Sequence, residues 1–304
     1  MAPPGGIAAH PGRGILLMIA AVGTFVLMDT TAKYLSHWYP PAFIVWARYV
    51  SNLAVLLVFL AARGELGRLK SARPGLQFAR GLLLALATLL FFTSLSVLPL
   101  ADANAISFVM PLFVAALAVP MLGERLEMPR LIAILVGLAG ALVIVRPGSE
   151  LFTPYALLPL GMALCNALYQ ILTRKLAGLE HPLTSLIWGA MVGAALLSFA
   201  APLVWVTPGA LFHGVLIVVI GVLASVGHYL LIRAYDRASA TLLVPFTYSA
   251  LVWAMLMGWL VFGDFPDGWS LLGMGIIVAS GLYLASRQRF TMHRDGADQA
   301  GRLK

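Results

Sequence analysis

The 304-residue chain has little charge and almost no cysteine. Only 11% of its residues are charged and 61% are hydrophobic, whereas a soluble globular domain has about 25% charged and about 45–50% apolar residues. A soluble core does not require so much apolar surface. The single cysteine, Cys165, excludes an intramolecular disulfide and a cysteine-based metal site, and we expect it to be a small buried hydrophobic residue.

The sequence also lacks the short motifs of several enzyme classes. It contains no GxxxxGK[ST] phosphate-binding loop, no HExxH, no GxSxG and no paired-aspartate motif of prenyl chemistry. These absences argue against an ATPase and a membrane-embedded enzyme, and no segment resembles the selectivity filter of a channel. We therefore predict no catalytic residue, no metal site and no cofactor. The net charge of +8 lies in short connectors, which indicates topology signals, and we predict no nucleic-acid partner.

Long apolar runs fill the rest of the chain. Each run can cross a hydrocarbon core of roughly 30 Å at about 1.5 Å per residue. The sequence predicts an all-α membrane protein with ten transmembrane helices, at residues 14–35, 41–62, 77–98, 102–122, 130–146, 154–174, 183–206, 212–235, 240–262 and 269–286. The connectors are too short for a soluble domain. Residues 1–13 are predicted to be a disordered lead, and residues 289–304 a basic tail.

Basic residues are distributed unequally between the two sides of this topology. Seventeen Lys and Arg residues fall on the side of the N-terminus, and two, Lys33 and Arg146, fall on the other. Connectors on the cytoplasmic side carry the excess of Lys and Arg in membrane proteins. We therefore predict a multi-pass protein of the bacterial inner membrane with both termini in the cytoplasm.

An internal repeat appears when the second half is compared with the first at an offset of about 140 residues. Pro40 and Trp46 then match Pro182 and Trp188, and Gly140 matches Gly281. Residues 14–148 and 149–288 would each hold five spans. Because five is odd, the second repeat enters the membrane in the opposite orientation, as in many secondary transporters with a site between the halves. Two similar halves of opposite orientation can give two states of similar energy, as alternating access requires.

Several segments carry a family resemblance. The segments "VWARYV", "LPLADANAISFVMPLFVAALAVPMLGERL" and "PFTYSALVWAMLMGWLVFGDFPDGWSLLGMGIIVASGLYLAS" resemble the two tandem EamA-type repeats of the drug/metabolite transporter superfamily, over about residues 14–288. This resemblance implies ten helices and secondary transport of a small organic metabolite. The combination of "AKYLS" with "VWARY" is similar to the proteobacterial group that contains S-adenosylmethionine and riboflavin carriers. The candidate solutes are an amino acid or related metabolite, S-adenosylmethionine and riboflavin, and the alternatives are a channel or a membrane-embedded enzyme.

Two opposite charges lie within the first two predicted spans. Arg48 lies eight residues after Pro40, roughly 12 Å below the membrane surface, and Asp29 lies at a similar depth. A charge there costs at least about 2.5–3.5 kcal/mol unless it is paired or faces water. We predict an Asp29–Arg48 pair that lines an outer vestibule. A static packing pair, or an arginine bound to carbonyls and lipid headgroups, is the alternative. The matching positions of the second repeat, Gln170 and Ala190, are uncharged.

Further polar side chains share helix faces in the second half. Asn166, Tyr169 and Gln170 lie at i, i+3 and i+4, so they share one face that could line a cavity or pack between helices. His228 and Tyr229 lie in the inner half of the eighth span. His228 can titrate near neutral pH, which makes it a candidate for proton coupling, and an interhelical hydrogen bond is the alternative.

Aromatic residues complete the predicted cavity, since they could stack on a planar ligand or act as packing and interfacial anchors. The predicted cavity residues are Asp29, Trp46, Arg48, Phe92, Asn166, Tyr169, Gln170, Trp188, His228, Tyr229 and Tyr248. Glycines in the last helix of each repeat allow close helix packing. They predict a scaffold or dimer surface in a monomer or homodimer, and they are Gly137, Gly140, Gly273, Gly275 and Gly281.

Overall fold

The computed structural model describes residues 11–122, 128–146, 152–176, 179–235, 237–238 and 240–283. Within these residues the chain is helical and has no strand. The helices are α1 Pro11–Leu35, α2 Pro41–Ala62, α3 Pro74–Leu95, α4 Leu100–Ser107, α5 Met110–Leu122, α6 Met128–Ile144, α7 Leu157–Leu176, α8 Pro182–Val204, α9 Leu211–Tyr235, α10 Ala240–Thr247, α11 Ser249–Met257 and α12 Gly268–Tyr283. A π-helical turn, Gly258–Phe262, follows α11.

Seven helical segments are long and apolar enough to cross a membrane, namely Gly12–Leu35, Pro41–Ala62, Pro74–Leu95, Pro154–Leu176, Pro182–Val204, Leu211–Tyr235 and Pro245–Phe262. Three shorter apolar helical segments accompany them, Leu100–Val114, Leu131–Ile144 and Gly268–Tyr283. The chain is therefore an all-helical, multi-pass membrane protein. The predicted basic tail, residues 289–304, and residues 1–10 of the predicted lead lie outside the described residues, whereas Pro11 already begins α1.

Prolines determine where several helices begin. Pro41, Pro74 and Pro182 are the first residues of α2, α3 and α8. A proline costs nothing at this position, because the first N–H groups of a helix have no intrahelical acceptor and the fixed backbone angle of proline already suits a helix. These three helix starts are therefore encoded locally in the sequence.

Two of the predicted spans contain a short turn. Between α4 and α5 the chain turns at Phe108 and Val109, and between α10 and α11 it turns at Tyr248. Pro111 lies in the first turn of α5, where its missing N–H is tolerated, but it could not continue the hydrogen bonds of α4. The two interruptions meet, since the rings of Phe108 and Tyr248 stack at 5.1 Å.

The two halves of the chain interleave. Helix α1 packs along α9, α3 packs along α7, and α2 packs against α8 and α9. The first long helix of one half thus contacts the third long helix of the other, in both directions. Two halves related by a two-fold axis would show this reciprocal packing. Any site enclosed by these helices takes side chains from both halves.

Glycines of α6 and α12 allow these two helices to approach closely. A Cβ atom on Gly273 would lie 2.6 Å from the carbonyl oxygen of Gly140, so neither position has room for a side chain. Ser280 of α12 donates a hydrogen bond to the carbonyl oxygen of Ala133 in α6. The close helix packing predicted for these glycines is confirmed at Gly140 and Gly273, whereas Gly275 has no atom near its Cβ position.

Candidate functional site

A cavity of about 520 Å³ lies at one end of the bundle, which we call the basic end because it carries the connector of residues 63–73 and the end of α7. Its volume is within the range of about 300–1,000 Å³ that small-molecule sites occupy. The helices that line it belong to both halves. The lining residues are Arg80, Tyr169, Thr173, Leu176, Glu180, Pro182, Ser185, Leu186, His228 and Ile232.

Arg80 is the buried cation of this cavity, with 5% of its surface exposed. Its guanidinium donates to Thr173 at 2.7 Å, to the hydroxyl of Tyr169 at 2.7 Å, to the carbonyl oxygen of Ser185 at 2.8 Å and to the side-chain oxygen of Gln77 at 3.0 Å. The ring centre of Tyr169 lies 4.6 Å from the guanidinium carbon. Four of its five N–H groups are therefore used to join α3 to α7 and α8.

The sequence analysis missed Arg80, because it was counted with the basic connectors that set topology. Its position inside the predicted third span, together with a glutamine one turn earlier at Gln77, was the available signal. A charge within an apolar helix is expensive unless polar groups surround it, so this pairing could have been recognised.

Arg48 lies deeper in the bundle, between α1, α2 and α3. Its Nε donates to the sulfur of Met28 at 3.2 Å, and its Nη1 donates to the hydroxyl of Thr88 at 3.2 Å. The guanidinium carbon lies 4.9 Å from the ring centre of Tyr49 and 5.9 Å from that of Phe92. The side chain is buried, with 5% exposed. Phe92 therefore belongs to the surroundings of Arg48, and it contributes a ring face.

The predicted direct ion pair between Asp29 and Arg48 was wrong. Both residues lie in the described part of the chain and are buried, and their charges act on each other, but no ion pair joins them. The guanidinium instead reaches the hydroxyl of Thr88 on α3. Both side chains are buried, but the guanidinium is directed toward α3 and not toward Asp29.

His228 is under the influence of both buried arginines. It lines the cavity, and the charges of both Arg48 and Arg80 act on it. Its ring packs edge-on against Phe25 of α1 at 5.0 Å. His228 therefore connects the cavity to the surroundings of Arg48.

The two tryptophans predicted for the cavity, Trp46 and Trp188, lie outside its lining. Trp46 donates to the hydroxyl of Ser198 at 3.0 Å and packs against Trp205 at 5.3 Å. Trp188 donates to the carbonyl oxygen of Leu69 at 3.0 Å. Both tryptophans thus anchor helix ends. Neither tryptophan is among the lining residues of this cavity, and the indole N–H of each finds an acceptor instead.

Four further candidates also fall outside the lining of the cavity. Tyr229 faces a separate apolar groove of about 250 Å³ between α2, α8 and α9, and Tyr248 packs in the interruption described above. Gln170 donates to the sulfur of Met110 at 3.0 Å, and Asn166 is half-buried. Of the three polar residues on α7, only Tyr169 reaches the cavity, because the face that they share turns partly toward α5.

At the end of the bundle opposite the basic end, Lys33 joins α1 to the end of α3 and to Asp264. Its ammonium donates to the carbonyl oxygens of Leu98 at 2.7 Å and Leu95 at 3.3 Å, and it lies 3.9 Å from the carboxylate of Asp264. Cations stabilise the carbonyl end of a helix, so Lys33 caps α3. Because Asp264 belongs to the second half, the same side chain also connects the two halves.

A second ion pair at that end joins Arg146 and Asp267. The backbone N–H of Ser270, followed by the Arg146 guanidinium, holds the pKa of the Asp267 carboxyl below its usual range. Lys33 and Arg146 were the two exceptions to the basic asymmetry of the sequence. Each has a structural role in closing this end.

Glu180 joins the connectors at the basic end. Its carboxylate accepts hydrogen bonds from the hydroxyl of Ser71 and from the backbone N–H of Arg73, the latter at 3.0 Å. The hydrogen bond from Ser71 lowers the pKa of Glu180. Since Glu180 also lines the cavity, a contact between the two halves borders its mouth.

Two interleaved helical halves around a polar cavity define the class of this protein, a multi-pass membrane transporter. The model of the EamA-like transporter family matches residues 12–146 and 153–286. The chain belongs to this family and contains its domain in two tandem repeats. Membership supports transport of a small metabolite across the membrane.

Named relatives cover almost the whole chain. An S-adenosylmethionine uptake transporter of Rickettsia conorii is 29% identical, over 92% of this chain and 97% of its own length. A riboflavin transporter of Vibrio cholerae is 28% identical, over 90% and 93%. The pseudopaline exporter CntI of Pseudomonas aeruginosa is 30% identical, over 91% and 97%. These relatives are named as transporters, which argues against an enzyme.

A solved crystal structure has the same fold. It superposes with a TM-score of 0.62 at 22% sequence identity, and the match covers 91% of this chain and 99% of the other. At this identity the similarity extends to the fold alone.

Proposed function

We propose that this protein is a secondary transporter that moves a small organic metabolite across the bacterial inner membrane by alternating access. The observation that supports it best is the cavity of about 520 Å³ at the basic end, because its wall is built from both halves of the chain. Rocking of one half against the other would close this cavity and open the other end. The sequence has no phosphate-binding loop, so the energy comes from a gradient of solute or ions.

The proposed topology has ten spans in two inverted repeats of five. The seven long helical segments and the three shorter ones supply candidates for all ten, and the reciprocal packing of α1 with α9 and α3 with α7 supports the inversion. The basic asymmetry of the connectors favours cytoplasmic termini. In that orientation the basic end, and with it the cavity, faces the cytoplasm.

The contacts at the opposite end are the proposed outer gate. Lys33 connects α1 and α3 to Asp264, and Arg146 pairs with Asp267. An outward-facing state would have to break the contacts between the halves. The Arg146–Asp267 pair is partly exposed, and a solvent-exposed pair is worth only about 0–1 kcal/mol. Lys33 is buried, so its contacts are the part of the outer gate that is harder to break.

The proposed solute is an amino acid or related metabolite, S-adenosylmethionine or riboflavin. The names of the relatives support this set, since two of them carry S-adenosylmethionine and riboflavin. His228 is the candidate for proton coupling, because it is the titratable histidine of the cavity wall. The protein is proposed to act as a monomer or homodimer, and a channel is the alternative function.

Counterflow in proteoliposomes tests the carrier proposal. Purified protein is reconstituted, the vesicles are loaded with unlabelled S-adenosylmethionine, methionine or riboflavin, and the same labelled solute is added outside at low concentration. We expect transient accumulation of label above equilibrium for at least one solute, because a carrier exchanges solute one molecule at a time. Label that only equilibrates would indicate a channel, and the absence of protein-dependent flux for all three would contradict the proposal. Protein-free vesicles are the control.

A further inference from the structure

We infer that Arg48 and Asp29 bind the carboxylate and the ammonium group of an α-amino acid moiety, so that the transported solute is an amino acid or a metabolite that carries one. This inference rests on the proposed transport function and narrows its set of solutes. It follows from two opposite charges that are neighbours and buried but do not pair with each other.

Arg48 has binding capacity that the protein does not use. A guanidinium has five N–H donors, and two of them are engaged here, one by the hydroxyl of Thr88 and one by the sulfur of Met28. A thioether is a weak acceptor. The three other N–H groups belong to the two terminal nitrogens, and they have no acceptor among the described residues. Two parallel N–H groups of an arginine match the two oxygens of a carboxylate.

Asp29 provides the opposite charge beside this arginine. It follows Met28 on α1, and the sulfur of Met28 holds the Nε of Arg48. The carboxylate is buried, with 7% of the residue exposed, and within the described part of the chain it accepts no hydrogen bond and forms no ion pair. Burial without a partner disfavours the charged form of this carboxyl group. An ammonium group beside it would compensate for that cost by forming a charged hydrogen bond.

An α-amino acid moiety has the matching arrangement of charges. Its carboxylate and its ammonium group are attached to the same carbon atom, so one small group can reach two neighbouring opposite charges at once. Direct pairing of Asp29 with Arg48 would remove both from the solute. Because the two side chains form no ion pair with each other, both remain available to such a group.

The cavity lies close to this site. His228 lines the cavity and the charge of Arg48 acts on it, whereas Arg48 and Asp29 are not among the lining residues. The remainder of the solute would then lie in the cavity of about 520 Å³, near Tyr169 and Arg80. Riboflavin has neither a carboxylate nor an ammonium group, whereas methionine and S-adenosylmethionine have both.

A ligand series on the unmodified protein tests the inference without depending on any variant. Binding is measured by thermal stabilisation as a function of ligand concentration, with methionine, S-adenosylmethionine, decarboxylated S-adenosylmethionine, 5′-methylthioadenosine and riboflavin. Decarboxylated S-adenosylmethionine lacks only the carboxylate, and 5′-methylthioadenosine lacks the whole amino acid moiety. We expect S-adenosylmethionine to bind about 10- to 100-fold more tightly than its decarboxylated form, as a charged hydrogen-bonding partner implies.

Variants assign this preference to the two residues. Arg48→Gln should reduce the ratio of affinities between S-adenosylmethionine and its decarboxylated form to about 1, because the group that recognises the carboxylate is missing. Asp29→Asn should weaken both of these ligands and leave 5′-methylthioadenosine unaffected. Arg68→Gln, on the exposed connector at the basic end, is the matched control and should keep the ratio of the unmodified protein.

The outcomes separate this inference from the transport function. No stabilisation by either ligand with an intact amino acid moiety, or a ratio that survives in Arg48→Gln, would overturn the inference. Counterflow of riboflavin that Arg48→Gln leaves unchanged would also overturn it, while the carrier function would stand. Binding with the expected ratio but without counterflow of any solute would support the site and contradict the carrier.

Discussion

Gly221→Leu is expected to abolish the yield of folded protein. Gly221 lies on α9 where this helix crosses α2, and a Cβ atom there would lie 2.3 Å from the Cβ of Ser51 and 2.7 Å from the backbone nitrogen of Asn52. Overpacking of a core typically costs about 1–3 kcal/mol, and the cost is higher here because backbone atoms cannot move aside without separating the helices. The measurement is the monodisperse fraction after solubilisation, by fluorescence-detected size-exclusion chromatography.

Gly214→Leu is the matched control on the same helix. No atom lies within 4 Å of its Cβ position, and leucine is a better helix former than glycine, so we expect a yield close to that of the unmodified chain. Similar losses in both variants would mean that α9 does not tolerate leucine for reasons other than its contact with α2. Similar yields in both would contradict the packing of α2 on α9.

Arg80→Leu is expected to cause the second large loss, in both thermal stability and transport. The change removes four hydrogen bonds and leaves their acceptors in the wall of the cavity without a donor. A buried polar group without a partner costs about 1–3 kcal/mol, so several together should lower the melting temperature strongly. Because Arg80 connects α3 to α7 and α8, the relative positions of the two halves should also be disturbed, and transport should fall at least tenfold.

Arg80→Lys and Arg68→Leu separate geometry from charge. Lysine keeps the positive charge but cannot make four bonds in the plane of a guanidinium, so we expect it to recover only part of the stability. Arg68, whose side chain is 41% exposed, should tolerate leucine with a change within about 0.5 kcal/mol. Full recovery with lysine would show that Arg80 acts through charge alone, contrary to the role described here.

Local patterns were sufficient to predict the helical membrane fold. The starts of α2 and α8 follow from Pro41 and Pro182, whose effect acts through their own backbone. The interruptions at Phe108 and Tyr248 were harder to predict, because the apolar run continues through each of them. Pro111 and Pro245 lie close to these two interruptions. A proline within an apolar run can mark either a tolerated bend or a break in the helix, and composition alone does not distinguish the two.

The candidate site could be predicted only in part, because its geometry comes from contacts between distant segments. Depth along the helices placed Asp29 and Arg48 correctly in the interior, but helix rotation and side-chain direction decide whether two charges meet. Three of the four partners of Arg80 lie about 90 to 105 residues away, and no local pattern indicates these three. Trp46 and Trp188 occupy matching positions of the two repeats, and the sequence does not show that both lie outside the lining of the cavity.

Cysteine labelling in oriented membranes tests most directly whether the cavity opens to the cytoplasm. Ile232 lines the cavity, and Cys165 is first replaced by serine so that Ile232→Cys supplies the single thiol. We expect a membrane-impermeant maleimide to label Ile232→Cys from the cytoplasmic face, Thr207→Cys at the opposite end from the periplasmic face, and Val58→Cys, on the apolar surface of α2, from neither. Labelling of Ile232→Cys from the periplasmic face alone, or of Thr207→Cys from the cytoplasmic face, would contradict the proposed inward-facing transporter.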